Sequence, residues 1–97
     1  MPIFMMFGKY SSAAMRDISA QRTQETIGLI RKNGGKIISM YALLGEHDLV
    51  LTLDFPDADK ALATSVALNR LTGIIFTTSP VVEVEKFDKL AGEIKEI

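Results

Sequence analysis

The sequence predicts an α+β fold, in which a four-stranded antiparallel sheet of βαββαβ order carries helices on one face and a further helix follows at the C-terminal end. Three observations support this prediction. The first strand is apolar on both sides, a glycine joins two apolar runs near the middle of the chain, and amphipathic segments follow the first and third strands. The length of 97 residues suits one domain, residues 1–97.

The first strand, residues 3–10, is expected in the middle of the sheet. A strand that is wetted on one side alternates with polar residues, whereas this one is apolar on both sides and should be covered above and below. One side holds Ile3, Met5 and Phe7, and the other holds Phe4 and Met6.

A helical segment follows the first strand. Ser11 and Ser12 are candidate N-caps, and the apolar spacing is interrupted at residues 19–22 before it resumes. The pattern fits one irregular helix or two consecutive helices. Two glycines after Asn33 provide the C-terminal stop.

The second and third strands are predicted over residues 36–44 and 47–55. Because Gly45 tolerates the positive φ of a type II′ turn, Gly45-Glu46 is interpreted as a two-residue hairpin turn that fixes the register. On one face, which is apolar, this register pairs Ala42 with Leu49, Met40 with Leu51 and Ile38 with Leu53. On the other face it pairs Leu43 with Asp48, Tyr41 with Val50, Ser39 with Thr52 and Ile37 with Asp54.

The second half of the chain is predicted as helix, strand and helix. Asp57 is the expected N-cap of a helix, and residues 74–84 form a strand whose Pro80 assigns it to a sheet edge or to a break, because proline lacks an N–H. Residues 86–97 are the terminal helix. The inward side of the helix after Asp57 is expected to hold Ala61, Leu62, Ser65, Leu68 and Leu71. One side of the terminal helix is expected to hold Phe87, Leu90, Ile94 and Ile97.

This element order is the ferredoxin-like arrangement, with the first and third strands central and both crossing helices on one face. The other face of the sheet is left bare. It would hold one side of the first strand together with Tyr41, Leu43 and Val50. Such a face is too apolar for water, which predicts a homodimer or a larger even oligomer joined through the sheet faces.

Composition narrows the classes of function. Eleven basic against twelve acidic residues give a net charge of −1, which provides no basic surface for nucleic acid. The absence of cysteine rules out disulfides and thiol chemistry and suits a cytoplasmic protein. The start of the chain shows no signal-peptide pattern and no apolar run reaches membrane-span length, so we expect no membrane partner.

Four stretches carry a resemblance to a known family. They are the opening strand, Arg16 and Ile18 with residues 19–22, residues 34–36, and above all residues 45–50, which read Gly-Glu-His-Asp-Leu-Val. Together they resemble the GYD domain family, small uncharacterised proteins grouped with the dimeric α+β barrels. The family typically has tyrosine where this chain has His47, so the resemblance implies no role for a tyrosine hydroxyl here. It implies a dimer formed through the sheets and brings no established activity.

Two residues of this motif are candidates for catalysis. His47 is the only histidine, and the predicted register places it on the helix-covered face. It would act there as a general base or contact a ligand, or it would only cover the edge of the core. Asp48 and Asp54 flank the third strand on the open side. They would act as acid and base in an interface cavity, or form ion pairs with Lys9, with Lys36 or with an arginine of a partner subunit.

Two further residues are candidates for ligand binding, together with His47. Arg22, at the helix irregularity, would bind a carboxylate or phosphate, or tie the irregularity to Asp17 or Glu25. Tyr41 would hydrogen-bond a ligand between subunits, or pack with its hydroxyl in water. One histidine without cysteine does not make a metal site, and no cofactor motif is present, so we expect neither metal nor cofactor.

The sequence favours a homo-oligomeric module that binds a small organic ligand between helices and sheet, or serves as an accessory protein. The alternative is an enzyme of the cofactor-independent oxygenase or isomerase type that uses His47, Arg22, Tyr41 and Asp48. A third possibility is an effector-sensing regulator. The residues leave open whether the protein is an enzyme.

Overall fold

The structure is a computed structural model that describes residues 2–94, and it confirms the α+β class and the ferredoxin-like arrangement. All eight elements follow the predicted order. They are β1 (Ile3–Tyr10), α1 (Ser12–Arg16), α2 (Ala20–Lys32), β2 (Lys36–Ala42), β3 (Leu49–Asp54), α3 (Ala58–Thr72), β4 (Ile74–Val81) and α4 (Val84–Glu93).

The four strands form one antiparallel sheet in the order β2-β3-β1-β4. The central position predicted for β1 is therefore confirmed, as is the edge position predicted from Pro80 in β4. The ladder between β1 and β4 runs through Ser79 and Pro80 without a break, and β4 ends at Val81 instead of Val84. An edge strand tolerates proline because one side of it has no ladder partner.

The core lies between the sheet and the helices α2 and α3. Of the two sides of β1, Phe4 and Met6 are buried in this core, whereas Ile3, Met5 and Phe7 lie on the opposite face. The structure thus resolves which side of β1 remains bare. The core cluster consists of Phe4, Met6, Ile30, Leu51, Leu53, Phe55, Ala61 and Leu68.

The first helical segment consists of two consecutive helices, which is one of the two predicted alternatives. Ser11 caps α1 by accepting a hydrogen bond from the Ala14 N–H, and Ser19 caps α2 by accepting one from the Arg22 N–H, both at 3.0 Å. A second serine cap in the middle of the segment starts a new helix. Gly34, at φ 84°, then ends α2 in the left-handed region that glycine favours.

Helix α3 begins at the predicted N-cap, Asp57, but its inward side differs from the prediction. Leu62 is 56% exposed and Leu71 is 45% exposed, whereas Thr64 and Thr72 are buried. Each threonine hydroxyl donates to the carbonyl four residues earlier at 2.7 Å. This internal bond satisfies the hydroxyl, so a polar residue can occupy the core side of the helix.

The predicted register of the hairpin is confirmed from Ser39 to Ala42 and is wrong before Ser39. A bulge between Ile37 and Ser39 shifts the pairing by one residue. Ile37 therefore lies opposite Leu53, and Lys36 lies opposite Asp54. The extra residue of the bulge, Ile38, is 57% exposed and does not join the core.

The two-residue turn predicted at Gly45-Glu46 is also wrong. Strand β2 ends at Ala42 and β3 begins at Leu49, so residues 43–48 form a wider loop. Among the described residues, positive φ occurs at Gly34 and Gly73 and not at Gly45. The backbone of the loop is closed by a bond of 3.0 Å from the N–H of residue 43 to the carbonyl of residue 48.

Helix α4 extends away from the rest of the molecule. The molecule measures 50 × 29 × 20 Å with a radius of gyration of 15.1 Å. A compact chain of this length has a radius of gyration of about 12–13 Å. Phe87 and Leu90 share one side of α4, as the spacing predicts, whereas Ile94 is the C-cap; the three residues are 57%, 45% and 59% exposed. Ile97 lies outside the described residues. No helix of residues 2–94 is long and apolar enough to cross a membrane.

Two glycine substitutions should change stability in opposite directions. A Cβ at Gly35 would lie 2.7 Å from Phe55 Cε1 and 2.8 Å from Ile30 Cγ2, so Gly35→Ala should destabilise by about 1–3 kcal/mol through overpacking. Gly28, inside α2, has open space around the added Cβ. Gly28→Ala should stabilise by roughly 0.5–1 kcal/mol because alanine favours the helix. Urea unfolding of both variants measures the difference, and equal effects would contradict this packing.

Candidate functional site

The sheet face opposite α2 and α3, here called the open face, is the first candidate surface. The strand register arranges its side chains in rows that cross the sheet from β2 to β4. The two middle rows are Tyr41, Val50, Phe7 and Thr77, and then Ser39, Thr52, Met5 and Ser79.

The open face is most apolar along its centre. Ile3, Met5 and Phe7 in β1 and Val50 in β3 are only partly covered by their neighbours on the sheet. On its β4 side the hydroxyls of Thr77 and Ser79 lie between Ile75, which is 64% exposed, and Val81. Of the predicted interface residues, Tyr41 and Val50 lie on this face, whereas Leu43 lies beyond the end of β2 in the loop and is 38% exposed.

His47 lies against this open face and not on the helix-covered face that the predicted turn implied. Its ring centroid is 5.0 Å from that of Phe7, with the ring planes 41° apart. The prediction is wrong because the side-chain alternation of a strand was extended through residues 47 and 48, where the chain is still a loop. The histidine covers one end of the apolar centre of the open face.

Asp48 completes the sheet where β3 has not yet begun. Its N–H donates to the Gly8 carbonyl at 2.8 Å, and its Oδ2 accepts from the Tyr10 N–H at 3.0 Å. The carboxylate thereby replaces the backbone carbonyl that a longer β3 would offer to β1. A buried strand N–H left without an acceptor is costly, so this aspartate has a structural task at this position.

The charged side chain of Asp48 also forms an ion pair. Its side chain is 7% exposed, and Oδ2 lies 3.5 Å from Lys9 Nζ, one of the ion pairs considered from the sequence. The hydrogen bond from Tyr10 and the charge of Lys9 lower the pKa of the Asp48 carboxyl, although burial opposes the shift. Both interactions favour the ionised form, as expected of a carboxylate that accepts a backbone N–H.

The lowered pKa of Asp48 predicts a pH dependence of stability. A folded-state pKa below the unfolded value, about 3.9, stabilises the fold above that pH, and this contribution disappears as the pH falls through the folded pKa. Asp48→Asn keeps an acceptor but loses the charge, so it should reduce the acid-side slope of unfolding free energy against pH.

Asp48→Ala, which removes the acceptor, should destabilise more than Asp48→Asn at neutral pH. The matched control is Asp88→Asn on the exposed surface of α4. An acid-side slope that responds equally to Asp48→Asn and Asp88→Asn would contradict the structural role of Asp48.

Arg22 ties the junction between α1 and α2. Its Nη1 donates to the Ala14 carbonyl, and its guanidinium carbon lies 5.3 Å from the centre of the Tyr10 ring. The sequence-based alternative that paired Arg22 with Asp17 or Glu25 is therefore not observed. A planar guanidinium suits both contacts, the stacking on an aromatic ring and the carbonyl.

The helix side holds two open grooves, one of about 670 Å³ between α2 and α3 and one of about 240 Å³ between α3 and β4, and one small cavity beneath a helix. A cavity of about 40 Å³ lies between α2 and the sheet, beside Tyr10, Arg22 and Thr26. Ligand pockets for organic molecules measure about 300–1,000 Å³. This cavity is large enough for a water molecule and too small for the ligand that the sequence analysis placed between helices and sheet.

The remaining candidates lie on the open face. Tyr41, on edge strand β2, is 66% exposed. Asp54, on the same face, has a buried Oδ1 that meets no hydrogen-bond donor in the described part of the chain. Within residues 2–94, no three His, Asp or Glu side chains are grouped closely enough to hold a metal ion.

The candidate residues therefore divide into two groups. Arg22 and Asp48 meet at Tyr10, one at its ring and the other at its N–H, whereas His47 and Tyr41 lie on the open face. Sequence reasoning missed Tyr10. Its position as the last residue of β1, beyond the end of β3, is the only signal for it, and that signal requires the correct length of β3.

The comparisons with known proteins agree with the sequence motif. A sequence model of the GYD domain matches residues 4–91, nearly the whole chain. The chain belongs to the GYD domain family. In this member the motif residue His47 provides the aromatic ring on Phe7 where the resemblance expects tyrosine, and the motif aspartate is the one that completes the sheet.

The wider comparisons concern the fold. The solved structure of the leucine response regulatory protein of Mycobacterium tuberculosis is similar to this GYD domain, with a TM-score of 0.56 and 7% sequence identity. The match covers 84% of this chain and 51% of that chain, so this chain matches about half the length of that protein. At this identity the likeness shows the fold alone. A search of curated proteins finds no match.

Proposed function

We propose that this GYD domain acts as a homodimer, joined through the open faces of two sheets, that holds a small organic ligand between them. The observation that carries the proposal is the apolar centre of the open face, formed by Ile3, Met5, Phe7 and Val50. Contiguous apolar surface of this kind marks an interface or a binding groove in soluble proteins. A cytoplasmic location, expected from the cysteine-free sequence, stays a prediction.

The chemistry of the open face supports a ligand in this place. The cavity beneath α2 holds no more than a water molecule, and the groove between α2 and α3 offers one polar side chain, Arg70. The open face instead combines apolar side chains with several polar groups, Ser39, Thr52 and Asp54. Ligand sites usually have this composition, in which a few polar groups fix the orientation of the ligand. The buried Asp54 Oδ1 is an acceptor that a ligand or partner donor would satisfy.

Native mass spectrometry of the protein purified from its own host tests both parts of the proposal. We expect twice the chain mass of 10.7 kDa, with a reproducible additional mass from the ligand. An empty dimer would remove the ligand and leave an accessory role for the dimer. A bare monomer would contradict the proposal as a whole.

A thermal-shift screen of the purified dimer tests the ligand independently. Amino acids, leucine among them, belong in the first set, because the structural neighbour is named for a response to leucine. A ligand of the open face should raise the melting temperature of the wild type and not of Thr52→Val, which keeps the shape of the site and removes a hydroxyl. An equal shift in both proteins would locate the ligand elsewhere.

The alternative of a cofactor-independent oxygenase or isomerase gains no support from the geometry. The Asp48 carboxylate is occupied by Tyr10 and Lys9, and Arg22 is occupied by the Ala14 carbonyl. A general base needs a free acceptor within reach of its substrate. The enzyme alternative therefore stays a prediction about His47 and Tyr41, and any turnover that is found should be tested with His47→Ala.

A further inference from the structure

A pocket of about 400 Å³ lies where β4 ends and α4 begins. Two charged residues, Glu83 and Lys86, line one part of it. The rest of the lining is apolar and comes from the start of β1, the neighbouring end of β4 and the residue after it, namely Pro2, Ile3, Pro80, Val81 and Val82. Pockets that bind organic molecules measure about 300–1,000 Å³, so this one is large enough for a small ligand.

The fold does not use the two charged side chains of this pocket. Glu83 is the N-cap of α4, but its side chain makes no hydrogen bond to the helix. Lys86 is the third residue of the helix, and side chains at these two positions are neighbours. Within residues 2–94 no ion pair joins them. A carboxylate and an ammonium group therefore lie side by side at the pocket, and both are exposed and free to bind a ligand.

Both charges depart from what stabilises the start of a helix. Serine, threonine, aspartate and asparagine are the good N-caps, and glutamate is not among them. A cation in the first turn, such as Lys86, faces the positive end of the helix dipole. Natural proteins depart from such local rules at functional sites. The choice of these two charges therefore indicates a role in binding and not in folding.

We propose that this pocket binds a free α-amino acid with an aliphatic side chain. The ammonium group of the ligand pairs with the Glu83 carboxylate, and its carboxylate pairs with the Lys86 ammonium group. Its side chain packs on the apolar lining, which removes apolar surface from water on both sides. A free amino acid carries its two opposite charges on one carbon atom, so it matches two opposite charges that are neighbours. A ligand with one charge would leave one of the two protein groups without a partner.

This pocket is separate from the ligand site proposed between the two sheets. All of its lining residues belong to one chain, so it needs no partner copy. Ile3 and Val81 also border the open face, whereas Thr52, in the middle of that face, does not line the pocket. The inference therefore goes beyond the proposed function, and either of the two can fail without the other.

An NMR titration of the isotope-labelled protein with leucine tests the site, because amide chemical shifts both locate a ligand and measure weak binding. We expect the amides of Ile3, Val81 and Val82 to shift. N-acetylleucine lacks the ammonium charge and leucinamide lacks the carboxylate. Each should bind about 10- to 100-fold more weakly than leucine, as expected when a charged hydrogen bond is lost. Unchanged amides at about 10 mM leucine, or equal binding of the three compounds, would overturn the inference.

Variants of the two charged residues assign the contacts. Lys86→Gln should weaken leucine binding by about 10- to 100-fold, yet bind leucinamide no more weakly than the wild type does, because the missing carboxylate was its partner. Glu83→Gln should behave in the same way towards N-acetylleucine.

The matched controls are Glu85→Gln and Lys89→Gln, which remove the same charges from α4 outside the pocket and should leave leucine binding unaltered. An equal loss in the controls would overturn the inference. Shifts centred on Thr52 instead of the pocket would also overturn it, and they would support the proposed ligand site on the open face.

Discussion

Leu51→Ala is expected to lower the free energy of unfolding by about 2–5 kcal/mol, among the largest effects available in this domain. Leu51 is fully buried in the middle of β3, between Met6 of β1 and Met40 of β2. Removal of its side chain leaves a cavity at the centre of the sheet's core side, where neighbouring strands cannot move to fill it. Against a total stability of about 5–15 kcal/mol, such a loss brings the protein close to unfolding.

Urea unfolding followed by circular dichroism measures this effect, with Leu62→Ala as the matched control. Leu62 is 56% exposed on α3, although its spacing predicted an inward position. Its truncation should change the unfolding free energy by no more than about 0.5 kcal/mol. A comparable loss in both variants would show that α3 packs on the sheet by the side that the sequence predicted.

Phe7→Glu is expected to separate the proposed dimer into folded monomers. Phe7 lies at the centre of the open face, in register with Val50 and Thr77, and its ring contacts His47. The substitution places two carboxylates in an apolar interface, where each loses hydration without gaining a partner. The dissociation constant should rise by roughly 10²–10³-fold, since a central hot spot contributes about 2 kcal/mol or more and occurs twice.

Sedimentation velocity measures this change, and Val66→Glu is the matched control. Val66 is 53% exposed on α3, on the opposite side of the molecule from the open face. It receives the same charge and should sediment as the wild type does. Phe7→Glu should retain the circular dichroism of the wild type, because Phe7 is not part of the core cluster. A dimer that persists in Phe7→Glu would show that the open face is not the interface.

Local signals explain how much of the fold was predictable. The two apolar sides of β1 indicated a central strand, Asp57 marked the start of α3, and Pro80 marked an edge strand. Each of these signals depends on the requirements of one residue or one strand, such as a cap or a missing N–H. Those requirements are the same whatever the rest of the chain does.

The predictions were wrong where contacts between distant parts of the chain determine the local structure. The bulge at Ile38 depends on how β2 fits the end of β3, and no residue there signals it. The predicted inward side of α3 omits Thr64, which is buried because its hydroxyl bonds to a carbonyl of its own helix. The wide loop at residues 43–48 depends on the bond between Asp48 and Tyr10, which joins segments 38 residues apart.

The same distant bond explains the mixed outcome for the candidate site. The motif around His47 and Asp48 was found from the sequence, because its spacing resembles that of the family. The orientation of these two side chains was not found from the sequence, because residues of a loop do not alternate between two faces as strand residues do. The structural task of the motif aspartate became visible only with Tyr10 beside it. A motif can thus identify the family although its aspartate has a structural role in the sheet.

The solution mass of the wild-type protein tests the central claim most directly. Sedimentation velocity from about 1 to 100 μM, a range in which a specific interface of standard size is populated, should show a single species of twice 10.7 kDa. The open face would then be covered in solution, as its apolar centre requires. A species of 10.7 kDa throughout this range would contradict the proposed dimer and, with it, the ligand site between the sheets.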